Sequence, residues 1–192
     1  MGRGDSEDMP PYIRAPLDLH SHSRHMEDGF SGMGWKMRAF WLMALLFARV
    51  AAAEPAPALS LPTLAGPAFD LSAQRGHVVI VNFWATWCVP CRAEMPMLDA
   101  FYKKHQAEGL VLIGLSVDAP NALPMVKKVA ATVSYPIAVA RDAQTNGFPA
   151  ANALPITYVI DAQGQVKAKL MPDEKGLGEE QLAALVEPLL KK

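Results

Sequence analysis

Two long runs of apolar residues predict strands at the centre of a sheet. The run HVVIVNFWA at 77–85 and the run LVLIGLSV at 110–117 are almost continuously apolar and rich in β-branched residues. Such runs are typical of strands that are covered on both faces. Near the start of this region, LPTLAGPAFDL at 61–71 predicts a hairpin of two short strands around Gly66-Pro67. Shorter runs predict further strands at 135–140, 156–161 and 165–171.

Apolar residues at a spacing of three or four predict the helices. The first helix is predicted at 89–106, where Gly109 follows the end. Two more are predicted at 121–133 and 179–190, and the segment 143–153 is predicted as a short helix or a loop. Because strands alternate with helices and a strand hairpin precedes the last helix, the pattern predicts an α/β domain with a central mixed β-sheet flanked by helices.

The chain before this domain divides into three segments. Residues 1–36 are polar and rich in Gly, Pro and Ser, which predicts disorder or a stretch upstream of the true start. Residues 37–53 combine a basic start, an apolar run and a small-residue end, the pattern of a secretory signal peptide. The apolar run is shorter than the roughly 20 residues of a spanning helix, although an uncleaved membrane anchor stays open. Residues 54–62 predict a Pro/Ala linker, and 63–192 predict one domain.

The composition does not indicate a strongly charged binding partner. The formal net charge is −1, so there is no basic excess that would indicate nucleic acid. The sequence LHSHSRH has the loose spacing of metal ligands at His20, His22 and His25. Because these histidines lie in the segment that we expect to be absent from the mature protein, we assign no metal site.

Both cysteines of the chain, Cys88 and Cys91, lie in the stretch WATWCVPC. A structural zinc site needs four ligands, and no second Cys pair is present to complete one. Haem attachment would need His after the second cysteine, where Arg92 stands. A disulfide across so short a loop stabilises the fold little. The pair therefore fits best as two thiols that cycle between oxidised and reduced states.

The predicted position of the pair gives the two sulfurs different roles. Cys88 falls at the N-terminus of the first helix, where free N–H groups and the helix dipole favour a thiolate. Pro90 falls in the first turn, where its missing N–H costs little. We expect Cys91 to lie one turn further in and to be more buried. Cys88 would then attack a partner disulfide, and Cys91 would resolve the mixed disulfide.

Resolution requires that Cys91 lose a proton, so a nearby base would help. Glu94 lies three residues further on, on the same helical face. A carboxylate on that apolar side should have a raised pKa and could exchange protons with the thiols. The alternative, which the residues leave open, is a surface Glu that serves the helix N-terminus.

The run from Asn82 to Leu98 resembles the signature NFWATWCxPCRxEMPxL of the thioredoxin-like family, in its TlpA/ResA/CcmG-type branch of periplasmic thiol–disulfide oxidoreductases. Downstream, NALPITYVIDAQGQV resembles the family segment that holds a cis-proline. The likeness extends from about Leu61 to the C-terminus. It implies a thioredoxin fold with an N-terminal β-hairpin and a helix–strand insertion at 118–153.

The resemblance also implies roles for individual residues. Pro155 would be the cis-proline, packed against the cysteines and offering backbone to a substrate strand. The implied substrate-binding residues are Trp87, Pro90, Leu154 and Pro155. Cytosolic thioredoxins have a buried acid at the position of Asn82, whereas this branch has Asn there and uses the Glu of the EMP motif, which favours Glu94 as the base. Ala153 and Ile156 stand where the family often has Gly and Thr, which predicts a more apolar pocket.

These features predict an enzyme, a periplasmic thiol–disulfide oxidoreductase that reduces disulfides of exported proteins. Cytochrome c maturation is one pathway in which such an enzyme would act. We expect no cofactor beyond the dithiol, a monomer, and electrons from a membrane donor, because no nucleotide-binding loop is present. The alternatives are a copper chaperone and a thiol peroxidase. Copper chaperones of this fold usually have C-x-x-x-C and a distal His, and no His follows Asp118. Peroxidases use Pro-x-x-x-Thr-x-x-Cys, which the residues before Cys88 do not supply.

Overall fold

The computed structural model describes residues 54–171 and 176–190. In chain order its strands are β1 (Leu59–Leu61), β2 (Phe69–Asp70), β3 (Val78–Trp84), β4 (Leu110–Ser116), β5 (Ile137–Val139), β6 (Thr145–Asn146), β7 (Ile156–Ile160) and β8 (Val166–Leu170). Its α-helices are α1 (Val89–His105), α2 (Leu123–Ala130) and α3 (Glu179–Leu190). The predictions of α1 and α3 and of the long strands β3 and β4 are confirmed within one or two residues.

Five strands form the main sheet in the order β5-β4-β3-β7-β8. Strands β4 and β5 run parallel to β3, while β7 runs antiparallel to β3 and pairs with β8 as a hairpin. This is the predicted central mixed sheet, and its helices and strand order are those of a thioredoxin fold. Because β3 and β4 are parallel, with Trp84 opposite Ser116, their carboxyl ends meet at one edge of the sheet.

Alternation of side chains along β3 builds a core on each face of the sheet. Ile80 points into a cluster that includes residues of all three helices, for example Phe101, Val126 and Leu182. Val79 points to the opposite face, into a cluster covered by the N-terminal strands. Burial on both faces explains why β3 is apolar at every position except Asn82.

The second face is covered by a small sheet of order β2-β1-β6. The predicted hairpin is confirmed, since Leu61 pairs with Phe69 across the Gly66-Pro67 turn. Within the linker predicted at 54–62, residues 59–61 instead form β1, and Leu59 and Leu61 are buried in the core. The packed region also includes residues before β1, as the Ala56 N–H donates to the Gly164 carbonyl at 2.9 Å.

The segment 143–153 was predicted as a short helix or a loop, and it instead contributes the strand β6. Its two residues are polar and exposed, so no periodic pattern marks them. They form a strand because the backbone of β1, far away in the sequence, pairs with them. The segments predicted at 1–36 and 37–53 lie outside the described residues. Within 54–171 and 176–190, no helix has the length and apolar character that crossing a membrane requires.

Candidate active site

Cys88 and Cys91 form a disulfide at the junction between β3 and α1. Cys88 is the N-cap of α1, and its Sγ accepts a hydrogen bond from the Cys91 N–H at 3.2 Å. A donor aimed at this sulfur would stabilise a thiolate after reduction. In the disulfide both cysteines are buried, at 5% and 2% exposure for Cys88 and Cys91, so the predicted difference in burial is small here.

The local sequence explains why the chain turns at this point. Strand β3 ends at Trp84, and the Cys88 N–H donates to the Ala85 carbonyl at 3.1 Å to close a turn. Pro90 then lies in the first turn of α1, where its fixed φ suits a helix and its missing N–H leaves no donor unsatisfied. The helix continues with the Arg92 N–H bonded to the Cys88 carbonyl.

An exposed apolar surface flanks the disulfide. Trp87 and Val89, the neighbours of Cys88 in the chain, are 69% and 67% exposed although both are large and apolar. Exposed apolar residues that cluster at one place often mark an interaction site. The sequence predicted Trp87 at this border, and the structure adds Val89, which the sequence reasoning had not singled out.

Pro155 lies at the same edge of the sheet, because β7 begins at Ile156 opposite Phe83 near the end of β3. The Leu154–Pro155 peptide bond is cis, the conformation that the resemblance implied. Leu154 packs against the core cluster that contains both cysteines. Pro155 itself is buried and lines a cavity of about 20 Å³ together with Glu94 and Thr157.

Glu94 is not a surface residue, since it is only 7% exposed. Its Oε1 accepts a hydrogen bond from the Leu177 N–H at 2.8 Å, just before α3. The alternative of an exposed Glu serving the helix N-terminus is therefore wrong. A role as the base for Cys91 stays a prediction.

Asn82 is buried in the middle of β3, and its Nδ2 donates to Thr157 Oγ1 on β7 at 2.9 Å. The amide thus bonds across the sheet, at the position where the resemblance implied Asn in this branch. An amide does not titrate, so Asn82 cannot serve as a base, and Glu94 stays the predicted one.

Asp118 was not predicted as a site residue, yet it lies beside the turn that carries Cys88. Its carboxylate accepts hydrogen bonds from the Thr86 N–H and O–H at 2.9 and 2.6 Å and from the Ser116 O–H at 2.8 Å. A sequence signal for it exists. A polar residue within two positions of the end of a buried parallel strand lies at the edge where sites form. We name Thr86, Ser116 and Asp118 the Asp118 clamp.

In the part of the chain that the structure describes, no three His, Cys, Asp or Glu side chains come together in a way that could hold a metal ion. This edge of the sheet carries the Cys88–Cys91 disulfide, the buried carboxylates of Glu94 and Asp118, and the exposed apolar residues Trp87 and Val89.

Comparison with known proteins agrees with this geometry. Residues 52–169 match the AhpC/TSA family, which is more than half of the chain. The thiol-disulfide oxidoreductase ResA of Geobacillus thermodenitrificans is 35% identical over 120 residues, which cover 62% of this chain and 68% of that protein. The thioredoxin-like protein YneN of Bacillus subtilis is 32% identical over 117 residues, 59% of this chain and 68% of that protein.

Solved structures show the same fold. A thiol:disulfide interchange protein of the thioredoxin family from Chlorobium tepidum superposes with a TM-score of 0.60 at 30% identity, covering 73% of this chain and 98% of that one. A secreted thiol-disulfide isomerase from Corynebacterium glutamicum has a TM-score of 0.57 at 24% identity, covering 71% and 86%, and shares the fold. The chain belongs to the AhpC/TSA family and is, within it, a thioredoxin-like thiol–disulfide oxidoreductase.

Proposed function

We propose that this oxidoreductase reduces disulfides of exported proteins, with Cys88 as the attacking sulfur and Cys91 as the resolving one. The observation that supports this assignment best is the position of Cys88. It caps α1, its Sγ faces the Cys91 N–H, and exposed apolar residues flank it on both sides. Cys91 lies one turn inside the helix and is almost fully buried.

The proposed reaction transfers two electrons from the dithiol to the substrate. The Cys88 thiolate attacks one sulfur of the substrate disulfide, that S–S bond breaks, and the departing thiolate takes a proton. Cys91 then loses its proton to Glu94 and attacks the Cys88 sulfur, which breaks the mixed disulfide, releases the second substrate sulfur as a thiolate and forms the Cys88–Cys91 disulfide. The proton on Glu94 passes on to that released thiolate or to solvent.

The proposed substrates are folded or unfolded exported proteins that present a strand beside Cys88. The apolar pair Trp87 and Val89 would cover the substrate, and the backbone before Pro155 would pair with it. Apocytochrome c, with a C-x-x-C-H pair that must be reduced before haem attachment, is one such substrate. The enzyme would work in the periplasm and receive electrons from a membrane thiol–disulfide protein.

The trapping experiment uses a peptide disulfide with the variants Cys91→Ser and Cys88→Ser. With Cys91→Ser, the mixed disulfide should accumulate because the resolving sulfur is missing. With Cys88→Ser, no mixed disulfide should form. Trapping through Cys91 instead would reverse the assigned roles.

The reduction potential of the pair tests the direction of electron flow. A value of about −270 mV or below, near that of thioredoxin, would support a dedicated reductase. A value near about −120 mV would overturn the reductase assignment in favour of disulfide formation. Equilibration with glutathione or dithiothreitol gives this value.

A further inference from the structure

We infer that Asp118 is a positioning residue for Cys88, because the Asp118 clamp fixes the turn from which Cys88 projects. The inference deepens the proposed function and rests on it, since it concerns the orientation of the attacking sulfur. Asp118 acts through the Thr86 backbone and side chain.

The Asp118 carboxylate is built to hold this turn. It is 3% exposed, and a carboxylate so deeply buried is costly unless donors compensate it. Two of the three donors in the clamp belong to Thr86, one from the main chain and one from the side chain. The third, from Ser116, ties the carboxylate to the end of β4.

The main chain on the other side of Asp118 is also held. The Arg141 Nη1 donates to the Asp118 carbonyl at 2.9 Å. The Asp118 N–H in turn donates to Ser116 Oγ at 3.2 Å. These bonds fix the backbone of Asp118, so its carboxylate stays where it can accept hydrogen bonds from Thr86.

Two successive residues after β4, Val117 and Asp118, bind the segment 84–86. The Trp84 carbonyl accepts from the Val117 N–H at 2.9 Å, and Thr86 is bound by Asp118. The next residue, Trp87, points to solvent, and Cys88 follows. The place of Cys88 relative to the sheet therefore depends on residues 84–86.

The clamp matters most in the reduced enzyme. In the oxidised state the disulfide to Cys91 holds Cys88 directly. After reduction that bond is gone, and attack on a disulfide needs the sulfur aligned with the bond that breaks. Displacement of a reacting atom by about 1 Å can cost about 100-fold in rate. Because the Asp118 clamp holds the turn from the protein interior, Cys88 stays aligned while the substrate can approach from solvent.

The test measures the attack alone, in a Cys91→Ser background, with a small aromatic disulfide that releases a coloured thiolate. Rates are compared at the high-pH limit of each variant, so that a change in thiol pKa does not enter. Thr86→Val removes one donor of the clamp and should slow the attack about tenfold. Thr86→Ser keeps the hydroxyl and should restore the rate to within about twofold of the parent.

The matched control lies at Ser134, whose N–H and O–H both donate to Asp99 Oδ1, at 2.6 and 2.7 Å. As with Thr86 and Asp118, the N–H and O–H of one residue both donate to one carboxylate, although here both reach the same oxygen. Ser134→Ala should cost similar stability and leave the attack rate unchanged. Asp118→Asn leaves one acceptor oxygen in place of two, and it should slow the attack at least as much as Thr86→Val.

Equal attack rates for folded Thr86→Val and the parent would overturn the inference, and so would an equal slowing by Ser134→Ala. If Asp118→Asn does not fold, the comparison of Thr86→Val with Thr86→Ser decides alone. Failure of the proposed function would differ, because Cys91→Ser would then trap no peptide. That result would overturn the role of Cys88 together with this inference.

Discussion

The Oε1 of Glu94 on α1 accepts a hydrogen bond from the Leu177 N–H at 2.8 Å. This bond ties the carboxylate of Glu94, three residues after the proposed resolving cysteine, to the residues that lead into α3. Glu94 is thereby held inside the protein in one orientation, next to the cavity that Pro155 also lines. A proton acceptor in a fixed place is what the second step of the proposed reaction needs.

Replacement of Glu94 should slow resolution and spare the attack. With Glu94→Gln, the amide oxygen still accepts from Leu177, but the side chain no longer takes a proton. Loss of a general base typically costs about 100-fold or more. Stopped-flow kinetics with a small aromatic disulfide should show a normal first thiolate release and a second release about 100-fold slower. The exposed Glu180→Gln serves as control, and a normal second phase in Glu94→Gln would rule out the base role.

Trp87 should matter for protein substrates more than for small ones. Its side chain is largely exposed beside Cys88, so truncation leaves the core intact. An exposed aromatic that becomes buried on binding is a typical hot spot. Trp87→Ala should lower kcat/KM for a disulfide-bonded protein about tenfold or more, while the rate with a small disulfide changes less than about twofold.

The control for Trp87 is Met125→Ala, which removes another exposed apolar side chain, on α2. It should leave both rates unchanged. An equal loss with small and protein substrates in Trp87→Ala would point to damage of the dithiol and not of a docking surface.

Asp99 should stabilise the fold in a pH-dependent way. Burial alone would raise its pKa, but hydrogen bonds from Lys103 and Ser134 outweigh burial and hold the pKa below the ordinary 3.8. Since the folded pKa is lowered, this stabilisation is present above about pH 4 and is lost as the pH falls through the folded pKa. Asp99→Asn should cost about 1–3 kcal/mol at pH 7.

Urea unfolding of the parent and Asp99→Asn at several pH values checks this effect. The difference in unfolding free energy should shrink below about pH 4. A difference that stays constant down to pH 2 would mean that the charge of Asp99 contributes nothing.

A side chain at position 114 should lower the stability of the fold. An added Cβ would lie 2.5 Å from the Ile137 Cδ1 and 3.2 Å from both the Trp84 Nε1 and the Tyr135 ring. These neighbours are buried, so relief would require repacking. Gly114→Ala should lower the unfolding free energy by about 1–3 kcal/mol in urea denaturation. In the control, Gly178→Ala, the added Cβ meets nothing within 4 Å, and the change should stay within about 0.5 kcal/mol. Equal stabilities would contradict the packing argument.

Elements with strong local patterns were predictable, and those that depend on distant partners were not. The apolar run of β3 and the periodicity of α3 are visible in the sequence. Burial on both faces of a strand, or on one side of a helix, determines which positions are apolar. Strand β6 has no such signal, since its partner β1 supplies the reason for its conformation. The same holds for Leu59–Leu61, where Pro and Ala neighbours suggested a linker.

The sequence by itself determined the redox chemistry, because a Cys-Val-Pro-Cys stretch between a buried strand and a helix places one sulfur at the helix N-terminus whatever surrounds it. Only the tertiary structure decided that Glu94 is buried against Leu177, and that Asp118 holds Thr86. Both bonds join residues far apart in the chain. Their geometry comes from how the parallel strands β3 and β4 end together and how the chain before α3 returns to α1, which no local pattern encodes.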